Sequence, residues 1–136
     1  MHLLTCYRYA EVSEASEHAL DGCVTSEDLS DLPCILISEP EQQSVEAAWW
    51  QDMMNFSGSF MFASDIGEAR MMVAGNSGWL PTESRIREES TGKAIRRIPL
   101  HDANGHATSE YYAFWPKGHD NPRIRDFSDI LQDVFA

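Results

Sequence analysis

Hydrophobic and polar positions follow the clearest pattern between residues 59 and 81. Residues 59–63 form a short apolar run, which is typical of a buried strand. Apolar side chains then recur every three or four residues from 65 to 74, a spacing that predicts a helix with one apolar face. A glycine-containing turn ends this helix, and residues 79–81 have the pattern of another short strand. The stretch therefore predicts a βαβ unit, which brings the start of a helix to the carboxyl end of a parallel strand.

Two strands and one helix are predicted upstream of this unit. Residues 2–12 alternate loosely in polarity, and residues 33–38 form the unbroken apolar run that parallel strands show when both faces are buried. A single helical turn is predicted at Thr25, which can cap it together with Asp28. Residues 41–54 predict a helix. Its core-facing stripe is predicted to consist of Val45, Ala48, Trp49 and Met53, widened by Trp50 and Met54.

Downstream of the unit, the pattern predicts a hairpin and a final helix. Residues 94–100 and 110–115 have the character of strands, and Asn104-Gly105 between them is a strong signal for a hairpin turn. Asn121-Pro122 has the form of a helix N-terminus, and the residues that follow are amphipathic. Strands that alternate with helices predict an α/β fold, with a mostly parallel sheet flanked by helices in three layers, followed by the C-terminal hairpin and helix.

Charge and composition narrow the classes of function. The 136 residues include 22 acidic and 10 basic side chains, which gives a net charge of −12. Since a nucleic-acid-binding surface needs clustered Lys and Arg, we expect no direct binding of DNA or RNA by this chain. Three widely spaced cysteines, no signal-peptide pattern and no apolar run of membrane-spanning length predict a cytoplasmic protein with free thiols.

The residues offer few candidates for catalysis or metal binding. Ser38, Ser64 and Ser77 lie outside any GxSxG motif, so no hydrolase nucleophile is predicted. The polar residues near the predicted hairpin have no spacing that matches a known set of metal ligands. They are His101, Asp102, His106, His119 and Asp120. We therefore predict no catalysis, no metal site and no cofactor.

At each end of the helix predicted at residues 65–74, a purely structural role and a ligand-binding role both remain open. Ser64 is predicted as the N-cap, and it either serves only as a cap or belongs to a helix start whose backbone N–H groups also hold a ligand anion. The turn Gly-Asn-Ser-Gly at residues 75–78 is predicted as a helix C-cap, with a role in lining a cleft as the alternative. The carboxylate of Asp65 would disfavour an anion nearby, so the charge of a ligand stays open.

Several segments, taken in order, resemble LysR-type transcriptional regulators. Residues 18–37 are similar to a junction in which a His-Pro-Leu-like turn is followed by a Thr-x-x-Asp-Leu helical turn and a buried strand. Residues 64–81 resemble the helix, glycine turn and Leu-Pro strand of the family's second effector subdomain. Residues 94–100, 112–117 and 122–131 are similar to its last strands and closing helix.

The resemblance implies a type 2 periplasmic-binding-protein-like fold, in which a small inducer binds between two lobes. It divides the chain into a remnant of the first lobe with the crossover (1–32), the second lobe (33–115) and a helix that returns to the first lobe (116–136). Ala19 departs from the family, because the turn usually has proline there. The inducer-binding residues that the resemblance implies are Ser38, Glu39, Ser64, Asp65, Asn76 and Ser77.

The predicted function is an effector-binding regulatory domain that senses a small-molecule inducer. The family acts on DNA through a helix-turn-helix domain, which this sequence lacks, so we expect a truncated regulator. Apolar surface left exposed by the missing part of the first lobe predicts a homo-oligomer, formed by exchange of the first strand or of the last helix. The alternative is a stand-alone small-molecule-binding or protein-interaction module that pairs with full-length regulators.

Overall fold

The computed structural model describes residues 1–86, 94–116, 118 and 121–135. The strands are β1 (His2–Ser13), β2 (Val24–Thr25), β3 (Cys34–Ile37), β4 (Phe60–Ala63), β5 (Leu80–Ser84), β6 (Ile95–Asp102), β7 (Gly105–His106) and β8 (Thr108–Tyr112). The helices are α1 (Gln43–Met53), α2 (Ile66–Ala74) and α3 (Pro122–Phe135), with a 3-10 turn at Glu27–Leu29. None of the helices in the described part of the chain has the length and apolarity that a membrane crossing requires.

The long strand β1 lies at the centre of a six-stranded sheet with the order β2-β6-β1-β5. Its C-terminal half pairs antiparallel with β5 on one side and with β6 on the other. Its N-terminal half pairs antiparallel with β8. The strand predicted at residues 2–12 is confirmed, and its burial on both faces near the C-terminal end agrees with its central place.

Trp79 joins this sheet to the parallel pair of β3 and β4. It forms a parallel bridge with Cys34 immediately before β5 begins. The backbone N–H of Ile35 donates to Trp79 O (2.8 Å), and the N–H of Trp79 donates to Pro33 O (2.9 Å). The predicted βαβ unit is confirmed, because β3 has a parallel neighbour on each side.

The α/β class is confirmed, but the prediction of a mostly parallel sheet is wrong. The parallel part consists of β3, β4 and the residue that leads into β5, together with the short pair of β2 and β6. In contrast, β1 runs antiparallel to β5, β6 and β8. The partners of β1 lie far along the chain, and an alternation of polar and apolar residues specifies which face is buried but not the direction of a neighbour.

A cluster of aromatic rings forms the centre of the core. The fully buried Trp79 packs edge-to-face against Trp50 of α1, with ring centroids 5.5 Å apart, and against Phe56 at 5.6 Å. A second apolar cluster lies between α2 and the sheet, and it consists of Ile35, Ala63, Ala69, Val73, Leu80 and Ile95. The two clusters together cover both sides of β3.

The buried face of α1 is predicted correctly for Trp50 and Met54, which pack on the core, and wrongly for the main stripe. Trp50 is the buried residue of this helix, whereas Val45 is 64% exposed, Met53 is 67% exposed and Trp49 is 37% exposed. The ring of Trp50 packs against Trp79, so this side of the helix faces the core. The stripe of Val45, Trp49 and Met53 therefore faces solvent. The guanidinium of Arg8 covers part of this stripe, 4.7 Å from the centroid of the Trp49 ring.

The hairpin at Asn104-Gly105 is confirmed, but its second arm is short. His101 and Asp102 of β6 pair with His106 and Gly105 of β7, and Gly105 has a φ of +106°. Residues 110–115 are predicted as the partner strand of β6, and the strand found there, β8, pairs with β1 instead. A long neighbouring strand offers more backbone hydrogen bonds than the end of the hairpin does.

Candidate functional site

The carboxyl ends of β3 and β4 lie side by side at one edge of the fold. Ile37 is in register with Ala63 in this parallel pair, so the turns that follow the two strands start at the same level. Ser38 and Glu39 follow β3, and Ser64 and Asp65 follow β4. Four of the predicted ligand-binding residues are therefore brought to one edge, where open α/β sheets bind small ligands.

A surface cleft of about 350 Å³ opens between these two turns. Its polar rim comes from the turn after β3, the first turn of α1 and the start of α2, and its floor is apolar. The lining residues are Ile37, Ser38, Glu39, Pro40, Gln43, Phe62, Ala63, Ser64 and Glu68. A cleft of this size and mixed lining suits a small polar molecule.

Asp65, and not Ser64, caps α2, so the predicted N-cap is wrong by one residue. Asp65 has an extended backbone (φ −154°), and its Oδ1 accepts a hydrogen bond from the backbone N–H of Glu68 at 2.8 Å. An acidic N-cap also interacts favourably with the helix dipole. The shift by one residue leaves the side chain of Ser64 outside the helix and at the rim of the cleft.

Glu68 occupies the two hydrogen-bond donors that Ser64 offers beside the start of α2. Its Oε2 accepts from the backbone N–H of Ser64 at 2.9 Å and also from the Ser64 hydroxyl. These bonds lower the pKa of Glu68, and the bond from the hydroxyl has the larger effect. The carboxylate of Glu68 therefore stays ionised at neutral pH. The sequence signal for this residue was its position in the first turn of α2, but its role in the cleft was not predicted.

The cleft is therefore acidic. The carboxylates of Glu39 and Glu68 line it, and none of the nine described lining residues is positively charged. Gln43, Phe62, Ile37 and Pro40 were also missed by the sequence analysis. These residues line the cleft because several segments of the chain meet there. A pattern within one segment does not contain that information.

Asn76 and Ser77 lie at the opposite end of α2 from the cleft. A helix of nine residues is about 13 Å long, and these two residues follow its C-terminus. Asn76 has a φ of +58° and lines a second cavity, of about 240 Å³. The backbone N–H of Ser77 donates to Met72 O at 3.0 Å, which satisfies a carbonyl of the last helical turn.

The described polar residues near the hairpin contact one another or the neighbouring strand β1. The rings of His101 and His106 stack with their centroids 5.6 Å apart, and Nε2 of His106 lies 2.7 Å from the carbonyl oxygen of Arg8. The backbone N–H of Asn104 donates to Oδ1 of Asp102 at 2.8 Å. His119 and Asp120 lie outside the described residues.

Comparison with known proteins finds relatives only at the level of structure. No protein-family model matches the sequence, and no curated protein matches it. Among solved structures, the chain is similar to the C-terminal domain of a probable LysR-family transcriptional regulator from Rhodococcus sp. RHA1. The TM-score is 0.70 and the identity 20%, and the match covers 96% of this chain and 65% of that one.

Two further structures extend the comparison. The LysR-family regulator HinK from Pseudomonas aeruginosa matches with a TM-score of 0.64 and 17% identity, over 98% of this chain and 47% of that one. The effector-binding domain of QuiR in complex with shikimate matches with a TM-score of 0.56 and 13% identity, over 99% of this chain and 64% of that domain.

The fraction of each chain that the match covers limits what the structural similarity shows. The chain spans less than two thirds of the length of each of these structures, while nearly all of its own length is matched. The periplasmic-binding-protein-like fold that the sequence resemblance implied is confirmed. The chain has the fold of part of the regulatory domain of LysR-family transcriptional regulators.

Proposed function

We propose that this chain is an effector-sensing regulatory unit of the LysR type and that it has no catalytic role. The observation that carries the proposal is the polar cleft at the carboxyl ends of β3 and β4, in a chain with the fold of LysR-family regulatory domains. The shikimate complex of the QuiR domain supports a small molecule as the effector. A cytoplasmic location is part of the same proposal.

Ser38, Glu39 and Ser64 are proposed to contact the effector, with Asp65 holding the start of α2 in place. The cleft is open on one side, so an effector bound here leaves a surface for a second lobe. An effector that contacts both lobes would favour one lobe angle over others, and this shift in population would be transmitted to a DNA-binding domain in the assembled regulator.

The proposed effector is neutral or cationic where it meets this lobe. An anionic group would lie beside the carboxylates of Glu39 and Glu68, and Glu68 already accepts the hydrogen bond from the backbone N–H of Ser64. A hydroxyl, amide or ammonium group would instead donate to these carboxylates. The sequence left the charge of the ligand open, and the two carboxylates support a hydrogen-bond donor in this proposal.

A matched set of ligands tests this proposal. Shikimate, its primary amide and the corresponding amine differ mainly in the charge of one group, and their binding can be followed by chemical-shift perturbation in the purified chain. We expect the amide and amine to shift resonances of Ser38, Glu39 and Ser64 at lower concentration than the acid does. Tightest binding of the acid would overturn the proposed effector charge.

Two variants test whether the ligand binds at the cleft or elsewhere on the surface. Loss of one neutral hydrogen bond costs about 1 kcal/mol, so Ser38→Ala is expected to weaken binding of the amine about fivefold. Ser77→Ala is the matched control, because Ser77 lies at the other end of α2, and it should leave binding unchanged. Equal loss in both variants would contradict a site at the cleft.

A second candidate function, pairing with other copies or regulators, has its own observation. Helix α3 packs against β1 with one side and exposes apolar side chains on the other, with Phe127 60%, Ile130 57% and Val134 62% exposed. Phe114, 86% exposed, lies shortly before this helix in the chain. We propose a second copy of this chain as the partner that covers the exposed side of α3.

A further inference from the structure

Three potential metal ligands meet where the loop after β1 touches the segment before β3. They are Oε1 of Glu17, Nε2 of His18 and Oδ1 of Asp31. The distances from Nε2 are 3.5 Å to the Glu17 oxygen and 3.6 Å to the Asp31 oxygen, and all three atoms lie within 4.8 Å of one another. This group is remote from the cleft and has no part in the proposed effector site.

The imidazole of His18 is held with one nitrogen directed at the two carboxylates. Its Nδ1 lies 3.0 Å from Oδ2 of Asp21, so a neutral ring that donates from Nδ1 has its lone pair on Nε2. The His18 side chain is only 14% exposed. The Nε2 atom is buried, and it has no hydrogen-bond partner among the described residues. A carboxylate that orients a histidine through its second nitrogen is the usual arrangement behind a metal ligand.

We propose that Glu17, His18 and Asp31 bind a divalent transition-metal ion, with Zn²⁺ as the preferred ion. Bonds of about 2.0–2.1 Å in a tetrahedral Zn²⁺ site place neighbouring ligand atoms roughly 3.3–3.4 Å apart. The two distances from Nε2 are longer than this by only a few tenths of an ångström. One imidazole and two carboxylates match the ligand preferences of Zn²⁺ better than those of Ca²⁺ or Mg²⁺, which favour oxygen.

A fourth coordination position is available beside the three ligands. Glu17 and Asp31 line the cavity of about 240 Å³, together with Ser16, Leu32 and Asn76. This cavity gives a metal ion a path from solvent, and it has room for a water molecule as the fourth ligand. Asn76 contributes to this cavity from the turn after α2.

A bound ion would connect two segments that are separated along the chain. Glu17 and His18 belong to the polar loop after β1, and Asp31 belongs to the segment that leads into β3. An ion that binds the folded chain and not the unfolded one raises stability by mass action. Metal binding is therefore expected to stabilise the connection between β1 and β3.

Titration with Zn²⁺ alone tests the proposal on the purified chain after treatment with a chelator. We expect saturable 1:1 binding by calorimetry and a rise in Tm with Zn²⁺ concentration. Co²⁺ used as a probe is expected to give the visible absorption bands of a four-coordinate site. No saturable binding of either ion would overturn the proposal.

Variants assign the ion to this group of ligands. His18→Gln and Glu17→Gln are each expected to weaken Zn²⁺ binding at least tenfold, and Asp21→Asn is expected to weaken it about tenfold through the orientation of the ring. The Glu17 side chain is 72% exposed, so Glu17→Gln should fold normally even if His18→Gln does not. His2→Gln is the matched control, because His2 is an exposed histidine paired with a single carboxylate, that of Glu110. Full-strength binding in Glu17→Gln, or an equal loss in His2→Gln, would show that the ion binds elsewhere.

Discussion

Glu11 shows how a single charged residue can be placed at the centre of this fold. It lies in β1 and is fully buried, yet its carboxylate is paired on both oxygens. Arg70 of α2 donates from Nε to Oε1 at 3.0 Å and from Nη2 to Oε2 at 3.2 Å, and Arg97 of β6 donates to Oε2 at 3.4 Å. The residue therefore connects a helix and two strands through one desolvated group.

Removal of this carboxylate is expected to destabilise the protein strongly. Glu11→Ala should lower the free energy of unfolding by about 1.5–3 kcal/mol, the usual value of hydrogen bonds to a charged group, because it removes the buried carboxylate that accepts from both Arg70 and Arg97. Chemical denaturation monitored by circular dichroism measures the change. Glu14→Ala is the control, since Glu14 and Arg96 form a pair that is largely exposed, and its loss should cost less than about 1 kcal/mol. Similar costs for the two variants would contradict the role of burial.

The three cysteines should differ sharply in reactivity toward a thiol reagent. Cys23 is exposed, whereas Cys6 and Cys34 are buried. Burial raises the pKa of the Cys34 thiol far above its usual value, and burial together with the charge of Glu83 raises the pKa of Cys6. Because the thiolate is the reacting form, one thiol should be modified quickly in the native protein and two only on unfolding. Mass spectrometry after a short reaction identifies the site, and fast modification of Cys34 would contradict the packing around β3.

At the scale of elements, the turn after α2 depends on a glycine for a reason that the sequence pattern did not reveal. A Cβ atom on Gly78 would lie 2.5 Å from the carbonyl oxygen of Pro33 and 3.0 Å from Cγ1 of Ile35. The turn therefore lies directly against the start of β3. Close packing of the turn on the strand lets Trp79 form its bridge with Cys34.

A methyl group at this position is expected to separate the turn from β3. Gly78→Ala should lower stability by roughly 1–3 kcal/mol, the usual cost of overpacking, because the contact is with backbone that cannot move aside. Gly22→Ala serves as the control, since no atom lies within 4 Å of the Cβ position there. The melting temperatures of the two variants provide the comparison, and a Gly78→Ala protein as stable as the control would disprove the close approach.

The elements also show where sequence patterns succeed and where they fail. The helix at residues 65–74 and the strands at 33–38 and 59–63 were predicted within one or two residues, because their spacing and their breakers lie in the same segment as the elements themselves. The main stripe of α1 was predicted wrongly, because the burial of Trp50 depends on its contact with Trp79, which lies outside the helix. The partner of the strand predicted at 110–115 was wrong for a similar reason, since β1 lies far from it along the chain.

At the scale of the whole molecule, part of the candidate site was predicted from the sequence and part was not. Ser38, Glu39 and Ser64 were predicted from the resemblance to LysR-type regulators, and the structure brings them to one cleft. Their positions after two parallel strands agree with that grouping. The acidic character of the cleft depends on the way Glu68 bends back to Ser64, and the cluster around His18 depends on a contact with Asp31, thirteen residues away. The first contact had only a weak signal, the position of Glu68 in the first turn of α2, and the second has no signature in the spacing of residues.

The exposed side of α3 should make the chain self-associate. A double variant, Phe127→Gln with Ile130→Gln, is expected to remove an apolar surface without disturbing the side of α3 that faces β1. Sedimentation at micromolar to millimolar concentration should show a dimer for the original chain and a monomer for the variant. The pair Asp126→Gln with Asp129→Gln, on the same helix, provides the control. A chain that stays monomeric throughout this range would exclude the second copy as the partner of α3.

The central place of β1 has a consequence for synthesis on the ribosome. Tyr9 in β1 pairs with Thr82 in β5, and the other partners of β1 lie still later in the chain. At about 5–20 residues per second, the first of these partners follows roughly 4–15 seconds after β1, since about 70 residues separate them. During that interval β1 has no strand to pair with, and its edges are open to other chains. A chaperone that holds nascent chains would therefore be expected to bind at β1.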